Sequence, residues 1–236
     1  MHQQVKELNI YLDRRIIGIF ILGIMSGLPW VMIGSTLSLW LKDAGVSRTN
    51  IGFSGLIFAV YSINFLWSPL IDRLKWRLRP SISHRRSWII ICQLVIAACC
   101  LIMSTMDASI SAKSIVLVGL LLATASATQD IAIDAYRIDS FASDDDKGIF
   151  AASTASTGGW WTGYAGLGAA ALACVDLLDV AWPSVYIFLG LTTLTILTAT
   201  LLLPDPPETS TSEQALLKQN FHRYAQQIAC KNALYK

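Results

Sequence analysis

RRIIGIFILGIMSGLPWVMIGSTLSLWLK, residues 14–42, is the stretch that decides the class of fold. From Ile16 to Leu41 no side chain is charged, and arginines close the run on one side and a lysine on the other. A helix rises about 1.5 Å per residue, so about 20 apolar residues cross a hydrocarbon core roughly 30 Å thick. The run meets that length. It is also far longer than the roughly 7–15-residue apolar core of a cleaved signal peptide, so it reads as a retained membrane span.

Working outward from residues 16–41, similar runs occupy 51–71, 88–106, 115–138, 148–175 and 183–203. Lipid offers no partner for a free backbone N–H or C=O, so such runs must be helices or barrel strands. The short alternating segments of a barrel are missing from all six. Composition agrees: the 236 residues are 54% hydrophobic and 14% charged, with a mean hydropathy of +0.52, against about 25% charged in soluble domains. The expected fold is an all-α integral membrane protein. Residues 1–15 would form an N-terminal segment, 16–203 a bundle of six transmembrane helices, and 204–236 a linker or tail.

The formal charge of +2 is nearly neutral, and gives no reason to expect a nucleic-acid partner; the information lies in placement. Lys6, Arg14, Arg15, Arg73, Lys75, Arg77, Arg79, Arg85, Arg86, Arg137, Lys147, Lys218, Arg223, Lys231 and Lys236 fall on one side of the six runs. Only Lys42, Arg48 and Lys113 fall on the other. Lys and Arg are retained on the cytoplasmic side of short loops, so this asymmetry predicts that both termini are cytoplasmic.

Other chemistry has little to stand on. Cys92, Cys99, Cys100, Cys174 and Cys230 show no metal-ligand spacing and read as free thiols. His2, His84 and His222 lie outside the runs, and no phosphate-cradling glycine loop or nucleophile elbow occurs. No enzyme, cofactor or metal is therefore expected, and the partners expected are the bilayer and a small solute.

Past Leu203, the segment Pro204-Asp-Pro-Pro207 stops the sixth helix, because proline lacks a backbone N–H and clashes with the preceding turn. Leu216, Leu217, Phe221, Tyr224 and Ile228 then stand near helical spacing over 212–229, as an interfacial linker helix or a frayed tail. The closing residues 232–236 carry no stop-like charge block, as if a further span were about to begin.

Ionisable residues inside a membrane are costly and face a cavity or a partner, which singles out the fourth run. It ends ATQDIAIDAYRID, residues 127–139, with Asp130, Asp134 and Arg137 on one helix face. Counted back from Ile138, Asp130 lies about 12 Å inside the boundary and Asp134 about 6 Å. Either carboxylate could exchange a proton during transport, or both could pair with Arg137 or the loop arginines and lock helix ends. Gln129 stands beside Asp130 as a cavity candidate.

Three further groups compete with plainer readings. Asp72, Arg73, Arg85 and Arg86 flank a short basic loop and, with Arg137, could form salt bridges that break and reform on gating; alternatively the charges only fix topology. In the first run, Gly27, Pro29 and Trp30 interrupt the helix and could line a substrate cavity, or they could allow close packing. In the fifth, Gly159 and Gly163 suit packing, while Trp160, Trp161 and Tyr164 could stack on a sugar ring. Asp144-Asp-Asp-Lys147 reads as a helix start, where acidic side chains meet the positive dipole end.

Four stretches carry a resemblance: SGLP (26–29); IGF (51–53) leading to FLWSPLIDR (65–73); RRSW (85–88); and ASATQDIAIDAY (125–136). The chain resembles the AmpG muropeptide permease family of the major facilitator superfamily, whose eukaryotic relatives include the acetyl-coenzyme A transporter. The resemblance implies the N-terminal half of a permease of twelve or more spans, built as a 3+3 inverted repeat. It also implies import of anhydro-muropeptides across a bacterial inner membrane, driven by the proton gradient. Two positions depart from the family pattern: Asn64 stands where the family has lysine, and Trp160-Trp161 where it has a Tyr-Arg pair. Both therefore join the candidates that set the substrate, with an acetyl-coenzyme A-like or other anionic metabolite as the alternative. Six helices cannot alone make a two-sided cavity, so either a second six-span half completes the transporter or the chain is a non-transporting remnant or scaffold.

Overall fold

The computed structural model describes residues 9–142 and 144–206, and the linker region 212–229 lies outside the described residues. After a 3₁₀ turn at Asn9–Leu12, the described residues form six helices long and apolar enough to span a membrane. They are α1 Arg14–Asp43, α2 Arg48–Leu66, α3 His84–Met103, α4 Ala108–Asp139, α5 Asp146–Leu178 and α6 Trp182–Leu201. All regular structure among the described residues is helical.

The helix starts follow from local chemistry. The first backbone N–H groups of a helix have no intrahelical acceptor, and a short polar side chain before the first turn supplies one. Asp13 accepts from the Arg15 N–H at 2.8 Å, Ser47 from Asn50, Ser83 from Arg86, Asp107 from Ser109 at 2.9 Å and Asp145 from Gly148 at 2.9 Å. The sixth start has no side-chain cap and carries Pro183 in its first turn, where the missing N–H costs nothing.

Two helices are irregular in ways the hydropathy pattern does not display. α1 is α-helical from Arg14 to Val31, widens to π geometry over Met32–Thr36, and returns to α over Leu37–Asp43. α5 does the same over Thr162–Leu167. The run expected over 51–71 is not one rod: α2 alternates α and 3₁₀ segments and ends at Leu66, and a separate short helix Ser68–Arg73 follows, with Pro69 in its first turn.

In the bundle α1 packs most extensively against α5 and also meets α4 and α6; α3 packs against α4 and α6, and α2 leans mainly on α4. The α1–α5 seam is backbone on backbone. A Cβ on Gly23 would strike the Ser156 carbonyl oxygen, on Gly27 that of Trp160, on Gly159 that of Phe20 and on Gly163 that of Ile24. Small residues let membrane helices approach this closely, and van der Waals contact along such a seam replaces the hydrophobic drive that lipid removes.

Candidate functional site

A cleft of about 490 Å³ opens between α2 and α4. Asn64, Phe65, Ser68 and Asp72 line one wall, and Asp130, Asp134, Ile138 and Asp139 the other, with Arg85 between them. Trp67 ties the walls together by donating its indole N–H to Thr128 Oγ1 at 3.2 Å.

Asp130 is the deepest carboxylate in the cleft, nine residues and hence roughly 13 Å along α4 from Asp139. Arg137 is not its partner. Instead the Ser26 hydroxyl of α1 donates to Asp130 Oδ1 at 2.6 Å. Asp134, by contrast, is exposed and pairs with Arg137 at 3.0 Å, one turn away on its own helix.

At the mouth, Arg85 bridges Asp72 and Asp139, the latter at 3.4 Å. The short helix after α2, the start of α3 and the end of α4 thus share one guanidinium. The other basic candidates do other things. Arg86 is buried and holds the chain leaving α6, pairing with Asp205 at 3.3 Å and donating to the Leu203 carbonyl. Tyr136 donates to the Pro204 carbonyl at 2.6 Å from the same side. Arg73 is exposed and pairs with no carboxylate among the described residues.

Gln129, Pro29 and Gly27 are not among the residues that line these two clefts; each is engaged in the packing around α1. Pro29 has no N–H to give the carbonyl of Met25, four residues back in α1. Gln129, fully buried on α4, donates its amide to that same Met25 oxygen at 3.4 Å. A neighbouring helix thus supplies the hydrogen bond that proline removes, as lipid-embedded breaks require. Tyr186 of α6 acts similarly at the π segment, donating to the Met32 carbonyl at 2.8 Å. Gly27 is spent on the α1–α5 seam.

Trp30 instead heads an aromatic belt. Its ring lies 4.8 Å from Tyr61, 5.1 Å from Phe58 and 6.1 Å from Trp160, and Trp160 stacks on Tyr164 at 5.0 Å. Beside it a second cleft, about 660 Å³, is lined by Trp30, Gly34, Ser35, Ser38, Phe58 and Tyr164. Trp161 is 56% exposed and packs edge-on to Trp160. No cluster of His, Cys, Asp or Glu suited to a metal occurs among the described residues.

Residues 19–233 match the Major Facilitator Superfamily. The chain belongs to the major facilitator superfamily. Within that superfamily it is 35% identical to AmpG 4 of Rickettsia felis over 78% of its own length and 44% of that protein's. It is 30% identical to the anhydromuropeptide permease of Escherichia coli K12 over 89% of its own length and 42% of that protein's. This superfamily chain therefore spans less than half the length of the curated relatives it matches. The second of these relatives is by name a permease, a transporter rather than an enzyme, and this chain's described residues include six helices long and apolar enough to span a membrane.

Three residues of this superfamily chain's site escape a reading of the sequence. Ser26 is one of many small polar residues in apolar runs. Asp139 looks like an ordinary helix-end charge, and Asp205 sits among helix-stopping prolines. Each acquires its role only from a partner on another helix, Asp130 for Ser26, Arg85 for Asp139 and Arg86 for Asp205.

Proposed function

We propose that the chain acts as the N-terminal six-span half of a proton-coupled permease importing anhydro-muropeptides across a bacterial inner membrane, both termini being cytoplasmic. The Lys and Arg asymmetry supports that orientation. A 3+3 inverted repeat is supported by the helix pairings: exchanging α1–α3 with α4–α6 turns the α1–α5 contact into the α4–α2 contact and leaves α3–α6 unchanged. Residues 204–236 serve as the linker toward a second half, and substrate binds between the halves.

The Ser26–Asp130 hydrogen bond is the observation that carries the proton reading. A hydroxyl both donates and accepts, so Ser26 can serve Asp130 in either protonation state and keep α1 registered on α4 while the proton comes and goes. Asp134, exposed and paired with Arg137, is the secondary proton candidate. Asp72, Arg85 and Asp139 form the lock that opens with the cleft.

Charge favours the muropeptide over a polyphosphate such as acetyl-coenzyme A. Among the described residues the only cation lining the two clefts is Arg85, already shared between two aspartates. Ser35 and Ser38 beside Trp30, Phe58 and Tyr164 offer an apolar, hydroxyl-edged wall suited to a sugar ring, with Asn64, Trp160 and Trp161 tuning it.

The test is uptake of labelled anhydro-muropeptide in a strain lacking its own permease, with the chain expressed alone and with the second half of a relative. Restored uptake that Asp130→Asn removes is the expected outcome. Full pH-gradient-driven uptake by Asp130→Asn would contradict the proton role. Membrane insertion with no uptake in either pairing would favour the scaffold alternative.

A further inference from the structure

The segment joining Ser68–Arg73 to α3 reads Arg73-Leu-Lys-Trp-Arg-Leu-Arg79, so basic and apolar residues alternate through it. It is not helical from residue 74 to residue 77. It is nevertheless held in place. The Lys75 N–H returns to the Arg73 carbonyl at 2.9 Å around Leu74, a three-residue turn. Trp88 donates its indole N–H to the Leu74 carbonyl at 3.4 Å, and the Leu78 N–H is taken by Ser87 Oγ at 3.1 Å. The strap is thereby fastened to the first turns of α3.

What the strap displays is unusual for a connection outside the spans. Trp76 is 51% exposed, Leu74 44% and Leu78 39%, while Arg73, Lys75 and Arg79 are exposed beside them. Water alone favours neither the indole nor the leucines. The boundary between headgroups and acyl chains accommodates both classes, because Trp settles at that depth and cations meet the phosphate there. Asp72 sits at the base of the strap but is engaged by Arg85, so it does not neutralise the strap's cations.

We propose that residues 73–79 form a binding strap for anionic phospholipid, with Arg73, Lys75 and Arg79 on the headgroup phosphate and Trp76, Leu74 and Leu78 against the upper acyl chain. The Arg85 bridge to Asp72 stands next to it, so a bound lipid braces the mouth of the cleft.

The test is native mass spectrometry of the full chain released from nanodiscs of equal phosphatidylglycerol and phosphatidylcholine. The wild type retains phosphatidylglycerol preferentially, and each cation removed in Arg73→Gln, Lys75→Gln and Arg79→Gln lowers that preference roughly fivefold. Trp76→Ser, which leaves every charge in place, shortens retention of both lipids. Lys42→Gln with Lys113→Gln, at the opposite end of the bundle, leaves the preference unchanged. Equal retention of the two lipids by wild type, or an undiminished preference in the triple variant, would overturn the proposal. Circular dichroism and gel filtration of each variant separate loss of lipid from loss of fold.

Discussion

Asp130 and Gln129 are neighbours on α4 and grip neighbours on α1, Ser26 and Met25. The two grips have different purposes. Gln129 completes a hydrogen-bond ladder broken by Pro29, so Gln129→Ala should destabilise the bundle by about 1 kcal/mol through an orphaned carbonyl. In a Pro29→Ala background the backbone N–H returns to Met25 and the same substitution should cost close to nothing; denaturation in mixed micelles reads the difference. Asp13 offers a check at the helix start. Its hydrogen bonds from Arg15 hold the carboxyl below the usual carboxylate range. A carboxylate depressed in the folded state contributes stability above its unfolded value near 4, and that contribution is lost as pH falls through the depressed value. Asp13→Asn should therefore flatten the acid limb of a stability-versus-pH curve by lowering stability at neutral pH toward the wild-type value at low pH, with the helix cap itself kept by asparagine. Asp130 stands out in the sequence because a charge in an apolar run is costly. Its partner does not, because which serine faces it depends on how two helices far apart in the chain are rotated.

At the level of the helix, the α1–α5 seam makes adjacent glycines behave differently. Gly159 faces the Phe20 carbonyl and Gly163 the Ile24 carbonyl, whereas a Cβ on Gly158 would reach only the Phe20 ring edge at 3.8 Å. Gly159→Ala or Gly163→Ala should force the helices apart at a cost of about 1–3 kcal/mol. Gly158→Ala should be neutral or mildly stabilising through helix propensity. Thermal unfolding in detergent checks both. The interruption expected at Gly27 and Pro29 is not a break in the helix, since α1 stays α-helical to Val31, whereas the small-xxx-small spacing of Gly159 and Gly163 is visible in the sequence. The π segments at Met32–Thr36 and Thr162–Leu167 are not, because hydropathy is blind to one extra residue in a turn. The same blindness hides the 3₁₀ segments of α2 and the break at Trp67, although Pro69 hints at the latter.

For the whole molecule, six apolar runs become six helices because membrane span length is set by bilayer thickness, which sequence reports directly. The lock at the mouth of the cleft was half legible: Asp72 and Arg85 stand out as charges at helix ends, while Asp139 joins them only through the folding of α4 against α3. Arg85→Ala should loosen that lock, so that a cysteine introduced as Asn64→Cys reacts several-fold faster with a membrane-impermeant thiol reagent. Cys92, Cys99 and Cys100 are buried and should contribute little background, and Cys174 and Cys230 are first replaced by serine. Proton coupling through Asp130 is read out in proteoliposomes holding the chain with a second half. There, pH-gradient-driven accumulation of muropeptide is compared with counterflow exchange at equal pH. Asp130→Asn is predicted to abolish accumulation while retaining exchange. Accumulation at the wild-type level in that variant would contradict proton coupling through Asp130.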